Sequence, residues 1–346
     1  MNLDAPSEDR GDARVTARPG LRDVAKLAGV SHQTVSRVFK DHPRVSSETR
    51  AKVLAAAAQL DFRPNAFARA LATGRSRTLG VVSFDATLYG PASMISEMER
   101  CARQADYFTS VIALQSASQR SISEAAERLR GQGVDGLIVI PGHVPLTQTT
   151  KHLPSDIPLV VMESETIVPA VGVDQYSGPK AATRYLLDLG HRTVHHLPGP
   201  PSWLEARERH RGWRDALIEA GAPIPPTLPG DWSAGSGYDR GLALAADPEV
   251  TAVFAANDQN ALGLLRALYE AGRRVPDDVS VIGFDDIPEA AYFIPPLTTI
   301  RQDFAAVGRS SVNLLLEQIE SGRRSDKKII ISTELVSRSS AGRAPA

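Results

Sequence analysis

The stretch DVAKLAGVSHQTVSR, residues 23–37, decides how the N-terminal part of the chain folds. An apolar, alanine-rich helix breaks at Gly29-Val30 and restarts at once with Ser31-His32-Gln33. A buried helix gains nothing from His and Gln in its opening turn, whereas a helix whose first turn reads something outside the protein needs such groups. Leu21, Val24, Ala25 and Ala28 form one apolar stripe and Val35 and Val38 a second. After RVSSETR, whose serines suit a cap, Val53, Ala56, Ala57 and Leu60 form a third. Two helices joined by a short turn containing Gly are the helix-turn-helix signature, whose second helix enters the DNA major groove N-terminus first. Ser31 then caps that helix, Val35 and Val38 face inward, and His32, Gln33, Ser36 and Arg37 point out. Gln bonds adenine bidentately and Arg guanine, and Thr34, Ser46, Ser47 and Asn65 suit phosphate contacts that position the protein without specifying sequence.

Charge supports the same reading. The chain carries −1 overall, but residues 18–77 hold 12 Lys and Arg against 4 Asp and Glu, which is +8 and leaves −9 for the rest. A basic block on a near-neutral chain fits a polyanion-binding module attached to a unit with another task. The opening twenty residues are polar with no apolar core, unlike a secretory signal, and no apolar run is long enough for a membrane span. The single cysteine, Cys101, excludes an internal disulfide and fits a reducing cytoplasm, where we place the protein.

From residue 78 apolar strands alternate with amphipathic helices. Strands are predicted at 79–84, 108–114, 136–140, 158–162, 193–199, 251–257, 279–285 and 327–332. Helices are predicted at 121–131, 178–189, 204–220, 235–246, 259–271 and 303–321. Continuous apolar strands between helices imply parallel sheets covered on both faces, and about eight strands imply two similar α/β lobes. Between residues 61 and 77, Pro64 ends one helix, Asn65 can cap another over 66–72, and Gly74 closes it; so short a helix is not stable alone in water.

The order of these parts closely resembles the lactose-repressor family of bacterial transcription regulators. The residues that carry the likeness are LRDVAKLAGVSHQTVSRVFKDHPRVSSETR, RPNAFARALATGRSRTLGVV, VDGLIVI, GHRTVHHLPGP, GDWSAGSGY, AANDQNALG, VSVIGFDD and IPPLTTIRQDF, from residue 21 to about 338. The resemblance implies an α/β protein in which a helix-turn-helix headpiece and a hinge helix join a two-lobed core like periplasmic binding proteins. The expected organisation is a disordered tail over 1–19, a DNA-binding domain over 20–64 and a hinge helix over 65–76. The effector-binding and dimerisation core follows over 77–340, with an N-lobe of about 77–173 and 303–331 and a C-lobe of about 174–302 and 332–340. It also implies that paired hinge helices enter the minor groove at the centre of a palindromic operator, with Leu71 as the wedge that unstacks a base step.

Ligands of such a core bind between the lobes at the carboxyl ends of the strands. Asn257 follows one strand, Asp285 ends another, Ser83 to Asp85 end the first and Glu163 follows a fourth. By resemblance Arg209, Asn257 and Asp285 hold sugar hydroxyls, Trp232 and Phe304 lie against the ring, and Gln302 completes the set. Phe84 and Glu163 join this group as departures. Phe84 stands where the family's lactose-binding member has serine, Val173 where it has phenylalanine, and Glu163 and Glu205 replace smaller cleft groups. Trp203 is placed at the rim and Trp213 in the core. The expected effector is a glycoside, such as a β-galactoside or related mono- or disaccharide, with a nucleobase-responsive corepressed regulator as the alternative. The chain ends at SRSSAGRAPA without leucine heptads, which predicts a homodimer built on residues 92–104 and on AAYFIPP with Phe293.

Other classes lack their motifs. GSGYDRG, residues 235–241, is one residue too long for a dinucleotide loop and follows no apolar strand, and neither a P-loop nor a G-x-S-x-G elbow occurs. His191, His195 and His196 straddle a turn and a strand rather than forming a metal set. No cofactor and no enzyme activity is expected, nor is an exported sugar-binding protein without DNA function.

Overall fold

The computed structural model describes residues 19–39, 42–62, 74–114, 118–142, 153–164 and 169–345. The expectations for the tail, for most of the hinge segment, and for Asn65 and Leu71 lie outside these residues. The chain divides into two compact units, Met1–Ser76 and Arg77–Ala346.

In the first unit α1 spans Leu21–Ala28, α2 His32–Phe39 and α3 Ser47–Gln59. Asp23 Oδ2 accepts from the Gly20 N–H at 2.8 Å, placing a carboxylate on the first turn of α1. Gly29 stops the helix in the left-handed region at φ 67°, which a residue with a Cβ adopts only at a cost. Ser31 Oγ accepts from the Thr34 N–H at 3.1 Å and opens α2; Ser46 Oγ does the same for Thr49 and α3 at 3.2 Å. Val24, Val35 and Val53, one from each helix, are fully buried together with Ala25, Val38, Ala56 and Ala57. Leu21, expected in the buried stripe, is exposed, because it is the first residue of α1 and sits at the rim of so small a core.

The second unit runs β1 (Thr78–Phe84), α4 (Tyr89–Gln104), β2 (Phe108–Leu114), α5 (Gln119–Gly131), β3 (Gly136–Ile140), β4 (Leu159–Met162) and β5 (Ala170–Val173). It continues with α6 (Ser177–Asp188), β6 (His195–Leu197), α7 (Leu204–Glu219), α8 (Ala234–Ala246), β7 (Ala252–Ala255) and α9 (Asp258–Glu270). Last come β8 (Ser280–Asp285), a short 3-10 turn (Pro288–Tyr292), β9 (Thr298–Gln302), α10 (Phe304–Ser321), β10 (Lys328–Ile331) and β11 (Thr333–Val336). Six strands form one sheet in the order β10-β5-β4-β3-β1-β2, all parallel. Five form the other, β11-β9-β8-β7-β6, parallel except for antiparallel β11.

Alternation along each strand feeds two cores per sheet. In β3, Ile138 and Ile140 join one apolar cluster while Leu137 and Val139 join another; in β7, Val253 and Ala255 face one way and Ala252 and Phe254 the other. The chain passes between the sheets after β5, after β9 and after β10, so the sheets are linked three times.

Five strands differ from the sequence reading. The strands β5, β9 and β11 were not expected, and the edge strands β2 and β10 are only half covered, with Phe108 and Val111 exposed, rather than buried on both faces. The glycines of residues 235–241 sit in α8, where Gly237 packs so closely on the Asn260 backbone that a Cβ would clash; they form a helix-packing seam. Among the described residues no helix is long and apolar enough to cross a membrane.

Candidate ligand cleft and nucleic-acid interface

A cavity of about 650 Å³ opens in the second unit at the carboxyl ends of the parallel strands. Residues that end or follow β1, β3, β4 and β5 line it from the six-stranded sheet, and those that end or follow β6, β7, β8 and β9 from the other. This volume suits one ligand of mono- or disaccharide size. Phe84, Glu163, Arg209, Trp232, Asn257, Asp285, Gln302 and Phe304 all line it. Val173 does not: its side chain packs in the apolar core.

The polar floor is a closed ring of side chains. Arg209 Nε donates to Gln175 Oε1 at 2.9 Å, Gln175 Nε2 to Gln302 Oε1 at 3.1 Å, and Gln302 Nε2 to Asp285 Oδ1 at 2.7 Å. Arg209 Nη1 closes the ring 3.5 Å from the same Oδ1 and also donates to the Ala256 carbonyl at 2.6 Å. The guanidinium lies 3.8 Å from the Phe284 ring centroid. So fixed a fork presents its remaining donors at little further entropic cost. Burial pushes Asp285 up to about 6, against the opposing pull of Arg209 and Gln302. Asn257 caps α9, accepting from the Asn260 N–H at 2.9 Å, while its Nδ2 donates to the Trp232 carbonyl at 3.0 Å. Both ends of that amide are therefore engaged by protein, and Asn257 holds the Trp232 loop in place.

Aromatic walls stand beside this floor. Phe84 and Trp203 lie 5.7 Å apart, Trp203 meets Trp232 edge-on at 5.7 Å, and Tyr89 meets Phe304 edge-on at 5.7 Å. Trp213 is buried in the core, donating to the Val194 carbonyl at 2.8 Å.

The upper part is acidic. Glu163 Oε1 accepts from the Val173 N–H at 3.0 Å. Burial, then the charge of Glu205, push the Glu163 carboxyl up to about 8; burial likewise raises Glu205. Glu205 Oε2, Gln259 Oε1 and the Trp232 indole N–H are covered yet bonded to no protein group, and all three residues line the cavity. Asp85, Glu163 and Asp285 hold positive φ of 43°, 50° and 114°, backbone strain that gathers where strands meet the cavity.

In the first unit His32, Gln33 and Arg37 stand exposed on α2, and Ser36 is half-buried. Thr34 Oγ1 is 2.9 Å from Ser31 Oγ, and Ser46 Oγ donates to Thr49 Oγ1 at 2.8 Å. Arg50 reaches the carbonyls of Val38 and His42, each at 3.4 Å, so this cation pins α3 to the end of α2.

Residues 20–65 match the model of bacterial regulatory proteins of the lacI family, and residues 183–341 that of a periplasmic binding protein-like domain. The lactose operon repressor of Escherichia coli (strain K12) is 34% identical over 325 residues, 92% of this chain and 89% of that protein. The HTH-type transcriptional repressor PurR of Haemophilus influenzae (strain PittEE) is 35% identical over 332 residues, 92% of this chain and 98% of the relative. The chain belongs to the lacI family of bacterial regulatory proteins. A solved lac repressor dimer bound to operator and the anti-inducer ONPF superposes with a TM-score of 0.87 at 33% identity, covering 94% of this chain and all of that one.

For this lacI-family protein the cavity includes residues that sequence reasoning did not single out. Gln175 follows a strand too short to recognise, and Tyr89 opens α4 without any motif. Trp203, placed only at the rim, forms part of the wall. The histidines weighed as metal ligands serve packing. His191 bonds Thr251 and Ser280 at 3.0 and 3.1 Å, His196 Nδ1 donates to the Phe254 carbonyl at 2.9 Å, and burial drives His196 down to about 3. No metal-ligating cluster occurs among the described residues.

Proposed function

We propose that this lacI-family regulator is a sugar-responsive DNA-binding repressor that leaves a palindromic operator when a glycoside binds in the cavity. One observation carries it: a single chain joins a helix-turn-helix with His32, Gln33 and Arg37 exposed to a cavity floored by a hydrogen-bonded polar ring and walled by aromatics. Arg and Asp supply forked donors and acceptors for vicinal hydroxyls, and flat rings cover the C–H faces of a sugar. Because the ring links Gln175 beyond β5 with Gln302 at the end of β9, a ligand that bonds to it acts on both sheets at once. The segment 65–76 then carries the coupling, with Leu71 as the wedge and Asn65, Thr34, Ser46 and Ser47 beside phosphates, while Ser31 caps α2 and Ser36 stands on its outward side. In this account the regulator is a homodimer, matching operator symmetry.

The test is a thermal-shift screen of mono- and disaccharides on the full chain, with the fluorescence of Trp203 and Trp232 as second readout. A ligand at 100 times its Kd adds about 2.7 kcal/mol to stability. A glycoside that raises the melting temperature and quenches the tryptophans is the expected result. A flat base can also stack on this aromatic wall, so hypoxanthine belongs in the screen; a shift from hypoxanthine with none from sugars would make the regulator nucleobase-responsive.

A further inference from the structure

We infer that the cavity selects a sugar bearing an ammonium group, seated between Glu163 and Glu205 and against the aromatic wall; this rests on the cavity's being the effector site. Among the described residues five carboxyls line the cavity, those of Asp85, Glu163, Glu205, Asp231 and Asp285, and Arg209 is the one lysine or arginine. Arg209 is committed to Asp285, Gln175 and the Ala256 carbonyl, so its charge is matched by Asp285. Asp231 caps its own loop, accepting from the Ser233 N–H at 2.7 Å, and Asp85 accepts from Thr87. Glu163 and Glu205 are left as two neighbouring covered carboxyls, neither in an ion pair among the described residues, although Arg209 and, for Glu205, Arg207 lie close enough to pull on them.

The chemistry that relieves this arrangement is specific. A sugar hydroxyl donates one hydrogen bond and leaves the negative charge of the pair in place. An ammonium donates three and neutralises one charge outright, giving charge-assisted bonds in a covered site. Glu205 Oε2, which meets no protein donor, is a natural acceptor. Phe84 and Trp203 stand in the same wall, and Trp232 already takes a cation there, with the Arg209 guanidinium 5.3 Å from its ring centroid. A metal ion is the poorer occupant: no group of three or more His, Cys, Asp or Glu with metal-ligand geometry occurs among the described residues. The cavity volume adds the polyol requirement, since the ring of Arg209, Gln175, Gln302 and Asp285 still asks for hydroxyls.

The experiment compares matched pairs on the full chain by calorimetry, D-galactosamine against D-galactose and D-glucosamine against D-glucose, at about pH 6.5 and about pH 9, on either side of the sugar amine's own titration. At the lower pH an amino sugar binds on the order of 10- to 100-fold tighter than its hydroxyl parent. Its advantage shrinks at the higher pH, where the amine has lost its proton and with it the charge. The groups facing Glu163 are Glu205 and Arg209 from α7, Gln175 and the Val173 N–H, and those facing Glu205 include Arg209 and Arg207 of the same helix; of these only the two glutamates share a negative sign. Glu205→Gln lowers the amino-sugar preference at least several-fold, and the pH comparison on the unaltered chain stands if that variant fails to fold. Hydroxyl sugars that bind as tightly as their amino partners at about pH 6.5 would overturn the charge inference while leaving the sugar cleft intact. Silence from all four sugars would overturn it too, and the broader screen above then judges the cleft itself.

Discussion

Arg209 is the residue on which the polar floor depends, because its Nε and Nη1 each hold a different partner in one plane. Lysine keeps the charge but not the fork. Arg209→Lys should abolish the ligand-induced thermal shift and lower the stability of the second unit by about 1–3 kcal/mol, read by circular-dichroism melting. Glu163 makes a second prediction through pH. Its folded value of about 8 lies above the ordinary 4.5, so the folded chain keeps a proton that the unfolded chain releases between those values. Stability therefore falls as pH rises through that window and levels off above it. The melting temperature of the ligand-free chain should drop between about pH 5 and 8, and Glu163→Gln should flatten the slope; an unchanged slope in the variant would assign it elsewhere. Much of the cleft was legible at this scale, because strand ends and short motifs point to Asp285, Asn257, Trp232 and Phe304. Gln175 was not legible, since a glutamine between a four-residue strand and a helix carries no pattern and acquires meaning only through partners 34 and 127 positions away.

Among elements, α2 is the proposed reader of DNA and α3 its support. Ser46→Ala removes the hydrogen bond to the Thr49 N–H and should destabilise the first unit by about 1 kcal/mol, seen as a lower or separate headpiece transition with the second unit unaffected. His32→Ala/Gln33→Ala removes only exposed side chains. It should leave both melting transitions in place while changing which duplexes are selected; a variant with undiminished discrimination would take base reading away from these two residues. Apart from β6 with its two histidines, the predicted strands that the structure contains share a continuous apolar run, whereas those missed have a short or broken one. In β5 the run is four residues, Ala170–Val173, and β9 buries Thr298 and Thr299 beside a single aliphatic, Ile300, the Thr299 hydroxyl donating to Asp258 at 2.6 Å. A single residue, Ser332, separates β10 from β11, so periodicity reads one strand where the chain changes sheets.

At the scale of the whole molecule, two units of different chemistry share one chain: a small basic helical bundle and a large α/β body with an acidic, aromatic cavity. The first has a core of mostly Val and Ala, so its own stability is modest, and small changes in what surrounds it shift its competence to bind. The second is spanned by three chain crossings and by the Arg209 ring, so a ligand there has a mechanical route to alter the body as a whole. Linkage requires that an effector change DNA affinity only by its differential binding to the two states, on the order of 5- to 150-fold. The most direct test selects a duplex from a random pool with the purified full chain and measures its Kd by fluorescence anisotropy with and without the sugar that shifts the melting temperature. The account predicts a palindromic duplex whose Kd rises about 5- to 150-fold when the sugar saturates the cleft; an unchanged Kd, or failure to select any duplex, would contradict it.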